Sequence, residues 1–163
     1  MDIEIIDQPI RFHPHGLSSS VDNNCYGEVG CRLMDEMWRI VKEASLKTTG
    51  INHWVYFAGN RMFVGIAVID GQQSAIPEQL QPCEFELPRY SKHVHIGPYS
   101  DLPQKWQALK AELSARGHSV TMPSLEVYGH IPEGDDTSQP QTTILLVMFR
   151  HAVDPPGPTH VVA

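Results

Sequence analysis

Three groups of side chains in this sequence have types and spacings that could do chemistry. Glu126 interrupts the apolar run Leu125-Glu126-Val127-Tyr128, and four imidazoles come as two pairs, His13-Pro14-His15 and His93-Val94-His95. The third group is aromatic: Trp38, Trp54, Tyr56 and Trp106, each set among residues of element-forming periodicity. A carboxylate in a buried strand costs several kcal/mol unless it is paired or protonated. On a strand Glu126 and Tyr128 point to one face and Val127 to the other. Spacing alone leaves two uses open. Glu126 either faces solvent on an edge strand or pairs with a lysine, or it is the counter-charge for an organic cation whose remaining contacts are cation–π.

The histidines raise a metal question. In "YSKHVHI" the alternation puts Ser91, His93 and His95 on one face and Val94 and Ile96 on the other. His13 and His15 hold the matching place in the first half, so convergence would offer four nitrogen ligands to zinc or copper. Pro14 disturbs the first pair, and no carboxylate or cysteine with ligand spacing accompanies them. The expectation is therefore no metal, with His95 bonded to nearby backbone and His93 partly exposed. Nucleophilic catalysis has as little support: no Gly-x-Ser-x-Gly occurs, and Ser18-Ser19-Ser20 has loop composition.

The elements that must position these groups come in the same order twice. Residues 2–13 read as a strand, with Pro9 favouring an edge or a bulge, and "GLSSSVDNN" reads as a loop. From Gly27 to Lys47 apolar residues recur at helical spacing. "HWVYFA" and "RMFVGIAVI" then form a hairpin across Gly59-Asn60. In the second half "CEFELPRYSKHVHI" reads as one long strand and "DLPQKWQALKAELSARG" as a helix, capped by Asp101 and ended by Gly117. "SLEVYGHI" and "TTILLVMFR" are two more strands. The halves also match in residues: Trp38 with Trp106, Lys42 with Lys110, Trp54 with Glu126, Tyr56 with Tyr128, and "FHPHG" with "KHVHIG".

Two βαββ units make an α+β protein with pseudo-twofold symmetry, an antiparallel sheet and helices on one face. The face the helices leave uncovered and the cleft between the halves are then the natural ligand sites. One domain over residues 1–155 is expected, with repeats at about 2–70 and 82–150 and a flexible tail at 156–163. Trp38 and Trp106 face the sheet from their helices, either as core or as cleft lining. Tyr90 and Tyr99 are weaker candidates of the same kind.

Composition narrows the partners. The 163 residues carry a net charge of −7, where a nucleic-acid footprint needs a basic face. No run of 18 apolar residues predicts a membrane span, and the acidic start "MDIEIIDQPI" does not resemble a secretion signal, so the cytoplasm is expected. Cys25, Cys31 and Cys83 form no CxxC pair and are expected as reduced thiols. No cofactor is expected.

The chain resembles the GyrI-like (gyrase-inhibitor-like) effector-binding domains. The resemblance rests on "HIGPYSDLPQKWQALKAEL", "PSLEVYG" and "FVGIAV", and it runs from about residue 3 to 150. It implies two βαββ halves enclosing a hydrophobic cleft, with a central acidic residue, Glu126, that receives lipophilic cations. The ligand-binding set expected is Glu126, Tyr128, Trp54, Tyr56, Trp106 and Trp38. Regulators of this superfamily carry a DNA-binding helix-turn-helix, whereas this chain starts at the first strand, so direct DNA binding is not expected. The function expected is binding of lipophilic, cationic aromatic small molecules, without catalysis. Two alternatives stay open: a hydrolase of reactive electrophiles with Glu126 as base, and an inhibitory protein-interaction module with an unknown protein partner.

Overall fold

In the computed structural model, residues 1–130 and 135–149 are described, those of His130 by backbone alone. Ten strands and two helices follow in chain order: β1 (Glu4–Ile6), β2 (Ile10–Phe12), β3 (His15–Ser20), α1 (Tyr26–Glu43), β4 (Thr48–Phe57), β5 (Arg61–Val68), β6 (Gln81–Pro82), β7 (Phe85–Leu87), β8 (Tyr90–Ile96), α2 (Leu102–Ala115), β9 (Val120–His130) and β10 (Gln141–Met148). Eight strands form one sheet in the order β1-β8-β10-β9-β4-β5-β3-β6, while β2 and β7 pair apart from it. Every pairing is antiparallel. The order β8-β10-β9 mirrors β4-β5-β3, so the two halves meet where β9 pairs with β4.

Strand alternation sorts the core into two layers. Trp54, Met62, Val64, Ile66, Ile144 and Leu146 point to the face on which both helices pack. The helices reciprocate with stripes at helical spacing: Leu33, Met37, Ile40 and Val41 on α1, and Leu102, Leu109 and Leu113 on α2. Val55, Phe63, Leu125, Leu145 and Val147 point the other way, onto Phe12, Phe85 and Leu87 of the β2–β7 pair. The face without helices is thus covered, and the expectation of a ligand site there is corrected.

Local chemistry explains where the chain departs from the periodic reading. "HGLSSS" is strand β3, because it pairs with β5 along its length from His15–Ile66 to Ser20–Arg61. Gly16 makes that possible: a Cβ there would stand 1.9 Å from the Val64 carbonyl oxygen. The long strand expected from Cys83 to Ile96 is broken into β7 and β8 around Pro88, which has no N–H to give a ladder. Residues 2–13 likewise divide, β1 joining the second half's β8 and β2 joining β7. At the β4–β5 turn Gly59 and Asn60 both take positive φ, 77° and 54°, as a tight hairpin requires. Asp101 stands at the start of α2 without a side-chain capping bond, while Gly117 ends it with φ 83°.

Candidate functional site

Glu126 lies at the seam of the two halves, directly across from Trp54 in the β4–β9 pairing and from Ile144 on its other side. Its carboxyl points to the helix-bearing face and is 4% exposed. Tyr56 donates its hydroxyl to Oε1, and Tyr128 donates to Oε2 at 2.9 Å. Among the described residues no Lys, Arg or His forms an ion pair with it. Burial pushes its pKa above the ordinary 4.5, and hydrogen bonds from Tyr56, Tyr128 and Trp106 pull part of the way back. Burial, with the nearby carboxylate, also raises both tyrosines well above their ordinary range, so the two hydroxyls remain donors.

Aromatic rings close around this carboxyl in edge-to-face contacts. Trp54 meets Tyr128 at 5.5 Å between centroids, and Tyr99 meets Tyr128 at 5.5 Å from another side. Trp106 meets Tyr56 at 5.3 Å, and Tyr26 meets Tyr56 at 5.4 Å. The indole N–H of Trp54 is buried with no hydrogen-bond partner among the described residues, leaving one donor in the cluster unused. Trp54 and Tyr128 are buried, whereas Tyr26, Tyr56 and Trp106 are partly exposed and Tyr99 is exposed. The carboxyl is therefore a buried group among aromatic side chains that contact one another edge to face.

Of the residues expected from the sequence, Glu126, Tyr128, Trp54, Tyr56 and Trp106 come together. Trp38 sits beside them: its indole donates to the Asn52 side chain at 2.9 Å, and Asn52 pairs with Tyr128 across β4 and β9. Tyr99, a weaker candidate, belongs to the cluster. Tyr90 does not, being packed in the opposite core layer. Tyr26 was missed; its signal is its place four residues before Gly30, on the side of α1 that approaches Trp54.

The imidazoles do not converge. His15 begins β3 and His93 and His95 lie in β8, with four strands between, roughly 24 Å at ~4.8 Å per strand. His13 pairs with Glu84 at 2.6 Å on the surface. His95 Nε2 lies 3.2 Å from the Pro98 carbonyl, as expected, whereas His93 is buried against the Asp2 carbonyl at 2.7 Å, not partly exposed. Among the described residues no three His, Cys, Asp or Glu side chains are placed to hold a metal ion. No described helix is long and apolar enough to cross a membrane.

The chain matches no protein family and no curated protein by sequence. Solved structures do match in fold. The C-terminal domain of EcmrR superposes with a TM-score of 0.66 at 18% identity, covering 92% of this chain and 99% of that one. SAV2435 bound to tetraphenylphosphonium gives 0.57 at 16% identity, covering 91% and 94%. A hydrolase from Listeria innocua gives 0.53 at 12% identity, covering 90% and 91%. This chain has the α+β fold of the GyrI-like effector-binding domains.

Proposed function

We propose that this protein binds a lipophilic aromatic cation, with Glu126 as its counter-charge. The observation that carries the reading is a carboxyl only 4% exposed, ringed by aromatics and held by two tyrosine hydroxyls, with no cation paired to it among the described residues. A desolvated carboxylate of this kind stabilises a positive charge far more than one in water does, and the rings present their negative faces to the same charge. The similarity in fold to SAV2435 bound to tetraphenylphosphonium supports this chemistry. The partly exposed Tyr56 and Trp106 are the rings that must swing aside for a cation to reach the carboxylate.

Glu126→Gln tests this. The swap keeps shape and hydrogen-bonding capacity and removes the charge. Binding of a quaternary ammonium aromatic should weaken by about 2–5 kcal/mol, roughly thirty-fold to several thousand-fold. An uncharged isostere should bind as before in titration calorimetry. Equal loss for both ligands would reduce Glu126 to a structural role, and no loss for either would place it outside the site. The fold's likeness to a hydrolase leaves catalysis as a second use of a raised-pKa carboxyl. Turnover of a reactive electrophile that Glu126→Gln abolishes would favour it over simple binding.

A further inference from the structure

A cavity of mixed polar and apolar lining adjoins the aromatic site. It has a volume of about 500 Å³ and lies between α2 and the start of β9, lined by Lys110, Ser114, His118, Ser119, Thr121 and Ser124, among others. Ser124 is its most deeply set residue, at 1% exposure, and its hydroxyl has no hydrogen-bond partner among the described residues. A buried hydroxyl left unmatched costs free energy, and a ligand acceptor or donor reaching it would recover that cost.

The groove communicates with Glu126 through named contacts. Ser124 precedes Glu126 by two residues on β9, so both side chains point to the same face about 7 Å apart at ~3.4 Å per residue. Ser124 also faces Tyr56 across the β4–β9 pair, and Tyr56 is the donor to Glu126. Trp106, Lys110 and Ser114 follow one another at four-residue spacing along α2. The Lys110 ammonium stands 5.6 Å from the Trp106 ring centre, at the boundary between groove and cluster. One end of the combined site therefore offers a buried negative charge and aromatic faces. The other offers an ammonium and several hydroxyls.

We infer that the ligand has two poles: an aromatic cation seated at Glu126, and an acidic or carbonyl oxygen on a short arm that reaches Lys110 and Ser124. This rests on the cation reading and narrows its ligand class to zwitterionic or oxygen-armed aromatic cations. A buried hydroxyl about 7 Å along the strand from a carboxylate, with an ammonium lining the same groove, complements a carboxyl separated from a cationic centre by a few methylenes.

The test compares butyltriphenylphosphonium with (4-carboxybutyl)triphenylphosphonium, which share the cation and differ by the acid on the arm. Calorimetry on the full chain should show the carboxyl compound binding about ten-fold more tightly, a charge-assisted hydrogen bond's worth of affinity. Lys110→Met should erase most of that ratio and Ser124→Ala part of it. Ser124→Ala should leave butyltriphenylphosphonium affinity unchanged, and Lys110→Met should leave it unchanged or raise it, since a positive charge beside Trp106 is removed. Neither variant endangers folding, since Lys110 is exposed and Ser124 loses only an unmatched hydroxyl. Glu126→Gln should weaken both compounds alike and leave their ratio intact. Equal affinities for the two compounds in the parent protein would overturn the arm site while the cation reading stood. A ratio that survives both substitutions would overturn it as well. Failure of both compounds to bind would remove the cation reading, and the arm site with it.

Discussion

Trp54 and Glu126 face each other across the seam between the two halves, at positions the repeated sequence pattern also equates. The halves supply the same architecture to that seam and opposite chemistry. On the first side α1 runs 18 residues and presses its Gly30 onto the Trp54 ring so closely that a Cβ would stand 2.2 Å from it. On the second side α2 runs 14 residues, docks by Leu102, Leu109 and Leu113, and leaves a groove along Lys110 and Ser114. A close-packed helix cannot admit a ligand without losing dispersion contacts over its whole face. A helix fastened by one leucine stripe can leave its other side open. The first half therefore contributes a close-packed wall together with the Tyr56 hydroxyl, and the second half contributes the carboxyl, Tyr128 and the more loosely covered side.

The sharpest way to break that comparison is on α2 itself, which should have one indispensable side and one dispensable side. Leu113 is fully buried, and Leu113→Ala should cost about 2–5 kcal/mol of stability, read from urea unfolding. Lys110→Ala, three residues back and on the groove side, should stay within about 0.5 kcal/mol of the parent. Comparable losses for both would mean the whole circumference of α2 is structural, and the groove would no longer be a place left free for a ligand.

A smaller effect sharpens the other side. Gly30→Ala forces a methyl into the Trp54 ring and should cost about 1–3 kcal/mol despite the better helix propensity of alanine. Gly27→Ala, in the same helix with nothing within 4 Å of the added carbon, should be neutral or stabilising by up to about 1 kcal/mol. If both substitutions stabilised, the close approach of α1 to Trp54 would be wrong, and with it the rigidity assigned to that wall.

How far these features could be read in advance depended on what selects each residue. Glu126 and Tyr128 were legible because alternation along a strand assigns faces without knowledge of neighbours. The helix-facing leucines and Trp106 were legible for the same reason at a different period. Strand β3 was not. Serine and glycine have little intrinsic strand preference, and only the long pairing with β5 and the tight fit at Gly16 hold them extended. The helix face was legible as a layer, but not the covering of the opposite face, which comes from two three-residue strands, β2 and β7, brought together from distant parts of the chain. Tyr26 escaped because a residue at the first turn of a helix belongs to no established stripe. The groove escaped because it exists only between a helix side and a strand end. No spacing in either segment marks such a gap.

The gentlest test needs no ligand and addresses the asymmetry of the seam directly, since Glu126 titrates and Trp54 does not. Burial raises the Glu126 pKa above its ordinary 4.5, its hydrogen bonds from Tyr56, Tyr128 and Trp106 offsetting only part of that rise. Between the ordinary value and the raised one, the folded protein holds a proton that the unfolded chain has released. Stability contributed by Glu126 is therefore fully present below pH 4.5 and is lost as pH rises through the folded-state value, with a slope of at most about 1.4 kcal/mol per pH unit. Above that value the loss is complete and the curve is flat. Glu126→Gln has no proton to release, so the parent's stability relative to the variant should fall with rising pH and then level off. His15 and His53, both lowered chiefly by burial, bend the curve the opposite way, losing stability as pH falls, but they do so in both proteins and cancel in the difference. Urea unfolding of the pair from pH 4 to 8 reads this out. A flat difference would mean that Glu126 titrates as a solvated carboxyl does, and a solvated carboxyl cannot supply the desolvated charge on which the cation site depends.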